Sequence, residues 1–143
     1  MTTAPKRWLL DTNVWILGLR RDANFPACAK LLDRIGSFSV IVPRQVLKEL
    51  AVKLTKQEMR DFYQLVNNYS DQVEVSWDLA PTEKVKFYQE HGCRKGDAVI
   101  AAHAEVFEAS LIVSENRQFL QTMSDMPAGI SSPESALQRL PSD

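Results

Sequence analysis

The chain has 143 residues, of which 45% are apolar and 24% are charged, and its formal net charge is -1. This length fits one domain with a single core, and the composition is that of an ordinary soluble globular protein. The charge balance removes the argument for nucleic-acid binding that a basic chain would provide, although metal ions can supply the missing positive charge. We therefore expect a single domain over residues 1–143.

The first half of the chain predicts two strands and four helices. Asp11 or Thr12 lies near the N-cap of the first helix, and Pro26 fits the first position of the second helix. Thr55 and Glu58 match a capping box at the start of the fourth helix. The predicted segments are a strand at 8–10, helices at 11–19 and 26–35, a strand at 38–43, and helices at 43–54 and 55–69.

The second half continues the alternation of strands and helices. Its predicted segments are a strand at 73–77, helices at 82–92 and 96–109, a strand at 110–114, and helices at 116–123 and 132–140. The helix at 96–109 is apolar on nearly all sides, so we expect it to be buried. This alternation predicts a three-layer α/β/α fold with a mostly parallel central sheet, in which sites form beyond the carboxyl ends of the strands.

The N-terminal segment and the two cysteines favour a cytoplasmic location. Residues 1–8, MTTAPKRW, contain no apolar stretch of signal-peptide length, and no apolar run in the sequence approaches a membrane span. Cys28 and Cys93 form no Cys-x-x-Cys pair. This pattern is typical of buried thiols in a reducing compartment and disfavours zinc.

Asp11 is a carboxylate within an apolar stretch, WLLDTNVWIL. Burying an unpaired charge costs several kcal/mol, so the carboxylate must have a partner. Two explanations stay open at this point. Asp11 could cap the helix that follows it, or it could be a ligand for a cation.

Asp97 and Glu49 have ordinary explanations when each is considered alone. Asp97 follows Gly96 before an apolar helix, which is a strong N-cap signal. Glu49 lies four residues before Lys53, so a surface ion pair would account for it. His103 is better explained as a hydrogen-bonded core residue or a surface residue than as a ligand.

Taken together, these residues predict a metal site. Asp11 and Asn116 each follow a predicted core strand, and Asp97 opens the helix that leads into one of those strands. Parallel topology can bring all three to one edge of the sheet. Clustered carboxylates in an apolar cleft repel one another, and a divalent cation removes that repulsion. Oxygen ligands favour Mg²⁺ or Mn²⁺, and such clusters catalyse phosphodiester hydrolysis.

Four segments occur in this order along the chain: LLDTNVWI (9–16), VLKEL (46–50), GDAVIAAHA (96–104) and LIVSENRQFL (111–120). With these segments the sequence resembles the PIN domains, and most closely the VapC-type toxin ribonucleases of toxin–antitoxin pairs. The resemblance extends from about residue 8 to 137. Position by position, it implies that Asp11 and Asp97 are metal ligands and that Glu49 is a further acidic ligand. It also implies that Asn116 belongs to the catalytic set, as a neutral oxygen ligand or as a hydrogen-bond partner of a ligand carboxylate. Thr12, Asn13 and Ser114 would line the site and orient the acids.

The resemblance implies a Mg²⁺-dependent endoribonuclease that leaves a 5′-phosphate and a 3′-hydroxyl. It also implies a homodimer with RNA as its substrate and a small antitoxin protein as its inhibitor. One position departs from the family pattern, because many members have a further acid where this chain has Gln118. The fourth corner of the site is then neutral unless Glu115 turns inward, and weaker binding of a second metal would follow.

Three alternatives compete with this interpretation. Haloacid-dehalogenase-type phosphatases require a second Asp two residues after the first, where this chain has Asn13. Receiver-type signalling modules need an acidic pair, a phosphorylated Asp and a later Lys, and neither Asp78 nor the VSENR segment supplies that set. A non-catalytic PIN-like module that binds RNA or a partner stays open because Gln118 is neutral.

Overall fold

The computed structural model describes residues 6–126 and 129–141. In this part of the chain, five parallel strands form one sheet in the order β3-β2-β1-β4-β5. The strands are β1 (Arg7–Leu10), β2 (Ser39–Val42), β3 (Val73–Val75), β4 (Leu111–Val113) and β5 (Ile130–Ser131). The helices are α1 (Thr12–Leu19), α2 (Pro26–Asp33), α3 (Arg44–Lys53), α4 (Lys56–Asn68), α5 (Thr82–Glu90), α6 (Lys95–Val106), α7 (Arg117–Thr122) and α8 (Pro133–Gln138).

The predicted three-layer α/β/α architecture is confirmed, and the sheet is parallel throughout the described residues. The strands read as continuous apolar runs because helices cover both faces of the sheet. Residues 9–10, 40–42 and 111–113 are at most 1% exposed. The capping box at Thr55 and Glu58 is present at the start of α4. One strand was not predicted: β5 has only two residues, too few to show a pattern.

The order of the strands places a switch point at the centre of the sheet. From β1 the chain winds outward through β2 and β3, and it then returns to the other side of β1 to form β4 and β5. Leu10 pairs with Val113, so β1 and β4 end side by side. A crevice outside the carboxyl ends of two such strands is where parallel α/β sheets bind ligands.

Two buried side-chain nitrogens have no hydrogen-bond partner in the described part of the chain: Trp15 Nε1 and His103 Nε2. His103 is 1% exposed and stacks on Phe107. The expectation of a hydrogen-bonded or surface histidine is therefore wrong with respect to this ring nitrogen. Burial lowers the pKa of His103, which keeps the imidazole neutral.

Cys28 and Cys93 are free and buried, as the sequence predicts. Among the described helices, none has both the length and the apolar character needed to cross a membrane.

The contact between α1 and α2 depends on the absence of a side chain at Gly18. A Cβ at this position would lie 2.6 Å from Leu32 Cδ1 and 2.9 Å from the backbone oxygen of Cys28. The second contact involves backbone, which cannot move aside as a flexible side chain can. Gly18 therefore sets the distance between the two helices.

We expect Gly18→Ala to lower the free energy of unfolding by about 1–3 kcal/mol, the usual cost of overpacking. The better helix propensity of alanine, worth up to about 1 kcal/mol, acts in the opposite direction. Urea denaturation followed by circular dichroism measures the difference. Gln64→Ala, on the exposed surface of α4, is the control and should change stability by less than about 0.5 kcal/mol. A Gly18→Ala protein as stable as the wild type would contradict this packing argument.

Candidate metal centre at the carboxyl edge of the sheet

Asp11 joins the end of β1 to the start of α1. Its backbone N–H donates to the carbonyl of Val113 at 2.8 Å, which continues the pairing of β1 with β4. Its Oδ1 accepts from the backbone N–H of Thr12 at 2.8 Å, and its Oδ2 accepts from Ser114 Oγ at 2.7 Å. The residue is only 4% exposed. Asp11 is thus the N-cap of α1 and is also a buried carboxylate at the switch point.

A hydrogen-bond network connects Asp11 to the segment after β4. Asn13 Nδ2 lies 3.4 Å from Asp11 Oδ2, and Asn13 Oδ1 accepts from the backbone N–H of Glu115 at 3.2 Å. Ser114 Oγ accepts from the backbone N–H of Asn116 at 3.0 Å. These bonds fix the orientation of the Asp11 carboxylate from both sides. The roles that the resemblance implies for Asn13 and Ser114 are compatible with these contacts.

The side chain of Asn116 is directed to its own helix. Its Oδ1 accepts from the backbone N–H groups of Gln118 and Phe119, at 3.0 and 3.3 Å, and so caps the N-terminus of α7. Asn116 reaches Asp11 only through its backbone and Ser114. Of the four residues predicted for the site, Asn116 is the one whose side chain is engaged elsewhere.

Glu49 extends from α3 towards α1 and α6. Its Oε1 accepts from the hydroxyl of Thr12, and its Oε2 accepts from Gln45 Nε2 at 2.8 Å. The ion pair with Lys53 is absent from the described contacts, so that explanation of Glu49 is wrong. A Cβ at Gly96 would lie 3.2 Å from Glu49 Oε2. The missing side chain at Gly96 therefore lets the carboxylate approach the first turn of α6.

Asp97 lies in the first turn of α6 but is not its cap. The helix begins at Lys95 with Arg94 as the N-cap residue, so Asp97 occupies the third helical position. The N-cap explanation is therefore wrong. No cap hydrogen bond consumes the Asp97 carboxylate, and the side chain is partly exposed at the mouth of the site.

The three carboxylates are close enough to perturb one another. Burial raises the pKa of Asp11 to about 6, hydrogen bonds from Ser114 and Thr12 oppose this rise, and the charges of Asp97 and Glu49 add to it. Burial also raises the pKa of Asp97, with a further contribution from Glu49, while Arg94 lowers it. The fold thus concentrates negative charge at one edge of the sheet without enough positive charge to balance it.

The donor set suits a hard divalent cation, because it consists of carboxylate oxygens whose repulsion such an ion would remove. Asp11, Glu49 and Asp97 are the residues that would hold it. In the side-chain arrangement of residues 6–126 and 129–141, no group of three or more His, Cys, Asp or Glu residues forms a ready-made metal site. Binding would therefore require a rearrangement of side chains that draws the carboxylates together.

The fourth corner of the site is neutral. Gln118 is exposed on α7, and the half-buried Glu115 lines a different cavity, together with Lys30 and Glu134. The charge that Glu115 feels most strongly is that of Glu134 on α8, and it contributes nothing to the raised pKa of Asp11.

Sequence reasoning missed two residues that position Glu49: Gln45 and Gly96. The spacing of Gln45 and Glu49, four residues apart on one helix, was a signal that could have found the first of them.

We expect Gln45→Met to weaken the binding of Mg²⁺ by roughly tenfold, since residues that orient ligands typically contribute 10–100-fold. Methionine keeps the length of the side chain but cannot donate to Glu49. The measurement is the concentration of Mg²⁺ that gives half of the rise in melting temperature. Gln64→Met, on the exposed surface of α4, is the matched control. Unchanged Mg²⁺ affinity in Gln45→Met would show that Thr12 alone is sufficient to hold Glu49.

Solved structures share this fold. FitAcB from Neisseria gonorrhoeae is 15% identical, with a TM-score of 0.61 over 89% of this chain and 98% of that chain. VapBC2 from Rickettsia felis, bound to a DNA fragment from its promoter, is 15% identical, with a TM-score of 0.59 over 88% and 98%. A toxin–antitoxin complex from Klebsiella pneumoniae is 19% identical, with a TM-score of 0.62 over 87% and 96%. At these identities the likeness establishes the fold.

No curated protein sequence matches the chain significantly. The family model described as the PIN domain matches residues 8–123, which include the sheet edge and all three carboxylates. This match covers most of the chain. The chain therefore belongs to the PIN domain family.

Proposed function

We propose that this protein is a Mg²⁺-dependent endoribonuclease and the toxin of a toxin–antitoxin pair. The observation that carries the proposal is the convergence of Asp11, Glu49 and Asp97, from β1, α3 and α6, on one edge of the sheet. Membership of the PIN family supports a nuclease, because PIN domains are generally nucleases. Mg²⁺ fits the oxygen-only donor set, and Mn²⁺ is the closest substitute.

Each residue of the site has a distinct role in this proposal. When bound, the cation would neutralise the carboxylates and the substrate phosphate and would make a water molecule more acidic. Asp11, fixed by Ser114 and Thr12, and Asp97 would hold it together with Glu49. The Glu49 carboxylate would also orient the attacking water and accept its proton. Attack in line with the bond to the 3′ oxygen would leave a 5′-phosphate and a 3′-hydroxyl.

The toxin role rests on the relatives. The structures from Rickettsia felis and Klebsiella pneumoniae are those of VapBC2 and of a toxin–antitoxin complex. We extend from them to this chain an antitoxin as partner. From the resemblance of the sequence to VapC-type toxins we further propose that the antitoxin is a small inhibitor, that a homodimer is the active form and that the location is cytoplasmic. RNA is the proposed substrate.

The direct test is cleavage of a structured RNA, labelled at its 5′ end, by the purified protein. We expect cleavage with Mg²⁺ or Mn²⁺, none after addition of EDTA, and recovery when Mg²⁺ is restored in excess. Ligation and phosphatase treatment identify the ends, which should be a 5′-phosphate and a 3′-hydroxyl. Cleavage that continues in EDTA, or ends that carry a 2′,3′-cyclic phosphate, would contradict the mechanism.

A separate test addresses the toxin role. Expression of the chain without its genomic neighbour should arrest growth, and co-expression of a short adjacent gene should restore it. Glu83→Gln, on an exposed part of α5, is a control that should remain toxic. Normal growth during expression of a protein that cleaves RNA in the test tube would support the proposed nuclease activity and contradict the proposed toxin role.

A second candidate function is a non-catalytic domain that binds RNA or a partner. The absence of a ready-made metal site among the described residues favours it, as does the neutral Gln118. This candidate predicts RNA binding that survives EDTA, with no cleavage in either Mg²⁺ or Mn²⁺.

A further inference from the structure

A second concave site lies beside the acidic residues, between the start of α2 and α8. Its cavity volume is about 310 Å³, at the lower end of the range for small-ligand sites. Phe25, which is 38% exposed, and Leu137 supply apolar surface. Lys30, Glu115 and Glu134 supply charge.

The charged groups of this cavity do not satisfy one another. Within the described residues, the side chains of Lys30, Glu115 and Glu134 form no salt bridge and no hydrogen bond. The carboxylates of Glu115 and Glu134 repel each other across the cavity. The charge of Arg117 also acts on Glu115, but no hydrogen bond or salt bridge of the described residues engages it. One cation and two carboxylates that line the same cavity therefore form a set of donors and acceptors available to a ligand.

The cavity is linked to the proposed catalytic edge through Glu115, which lines it. Glu115 follows Ser114 directly, and its backbone N–H donates to Asn13, whose amide lies beside Asp11. A nucleotide next to the phosphate at Asp11 could therefore place its base in this cavity.

We infer that this cavity binds a guanine base of the RNA next to the cleaved bond. The Glu115 carboxylate accepts from guanine N1–H and N2–H, and Lys30 donates to O6. Phe25 supplies a surface on which the base stacks. The Glu134 carboxylate accepts the second hydrogen of the amino group. This inference rests on the proposed function and adds to it a sequence preference.

The other three bases fit this arrangement less well. Guanine alone presents two adjacent donors, N1–H and N2–H, next to an acceptor, O6. Cytosine and adenine offer one amino group beside an acceptor nitrogen, which would face a carboxylate oxygen. Uracil offers a single N–H between two carbonyls. A carboxylate and an ammonium that line one cavity therefore favour guanine over the other bases.

The test uses RNA substrates that are identical except at one base next to the cleaved bond. We expect the wild type to cleave the guanosine substrate about tenfold faster, or more, than the uridine substrate, as one bidentate contact provides. Inosine, which lacks the 2-amino group, should lie between them. Glu115→Gln should remove the preference while cleavage of the uridine substrate stays within about threefold. Glu83→Gln is the matched control and should keep the preference.

Two results would overturn the inference while leaving the proposed function intact. One is an unchanged base preference in Glu115→Gln. The other is an equal loss on all substrates, which would make Glu115 part of the acidic site. If the wild-type protein cleaved no RNA, that result would instead contradict the proposed function.

Binding by the metal-free protein tests the cavity independently of cleavage. Guanosine 5′-monophosphate should shift the amide resonances of residues 25–30 and 134–137, whereas uridine 5′-monophosphate should not. Glu115→Gln should abolish the shifts. Equal shifts with both nucleotides, or binding of an arginine-containing peptide in place of the guanine nucleotide, would overturn the inference.

Discussion

Asp11→Asn is expected to lower Mg²⁺-dependent RNA cleavage by at least about 100-fold. Loss of a residue that only orients a ligand typically costs 10–100-fold, and Asp11 is a proposed ligand itself. Asparagine keeps the acceptor for the Thr12 N–H, so the cap of α1 is preserved while the charge is removed. The initial rate of cleavage at saturating Mg²⁺ is the measurement.

Asp97→Asn should produce a loss of similar size, because Asp97 shares the proposed ion with Asp11. Asp71→Asn is the matched control, since Asp71 is exposed and precedes β3 at the amino end of the sheet. It should cleave at the wild-type rate. If Asp11→Asn retained more than about a tenth of the activity while folded, Asp11 would not be a metal ligand.

Asp11→Asn is also expected to stabilise the protein when no metal is present. The pKa of Asp11 is about 6 in the folded state and 3.8 ordinarily, a difference of about 2 units. This difference corresponds to a cost of about 3 kcal/mol for the ionised side chain at pH 7.5. Asparagine avoids this cost but faces the donors of Ser114 and Asn13 with an amide, so the net gain should be smaller.

The dependence of stability on pH separates the effect of removing the buried charge from the effect of the altered hydrogen bonds. Because the pKa of Asp11 is raised on folding, its contribution to stability is largest at low pH and is lost as the pH rises through the window from about 4 to 6. The hydrogen bonds of asparagine do not titrate. The stability advantage of Asp11→Asn over the wild type should therefore grow by about 1 kcal/mol between pH 5 and pH 7.5.

Urea denaturation in EDTA at both pH values measures this change. Addition of Mg²⁺ at pH 7.5 should raise the melting temperature of the wild type and should have a much smaller effect on Asp11→Asn. An advantage of the variant that is the same at both pH values would mean that the Asp11 carboxylate is not destabilised by burial.

The sequence was sufficient to predict most of the architecture because strands and helices have different apolar patterns here. The runs at 8–10, 38–43 and 110–114 all became strands, and the alternation with helices predicted the parallel sheet. The strand β5 escaped prediction because it depends on pairing with Ile112 and Val113 and has no pattern of its own.

The acidic residues show where reasoning from single positions fails. The sequence predicts α6 over 96–109 with Asp97 as its cap, because Asp after Gly before an apolar helix is a cap signal. In the structure the helix begins one residue earlier than Gly96, and the missing side chain gives room to Glu49. The sequence predicts Lys53, on the same helix, as the partner of Glu49. The observed partner Thr12 lies on another element, and only the fold brings it close. Local patterns cannot report a contact between residues 37 positions apart.

The hydrogen bond between Ser114 and Asp11 joins residues 103 positions apart in the chain. During synthesis, Asp11 leaves the ribosome long before Ser114 has been added. A growing chain therefore cannot form the Ser114 contact to that carboxylate until translation has passed β4. If the protein is a ribonuclease, the messenger and the ribosome that produce it are exposed to a competent enzyme only after the residues through Ser114 have been made.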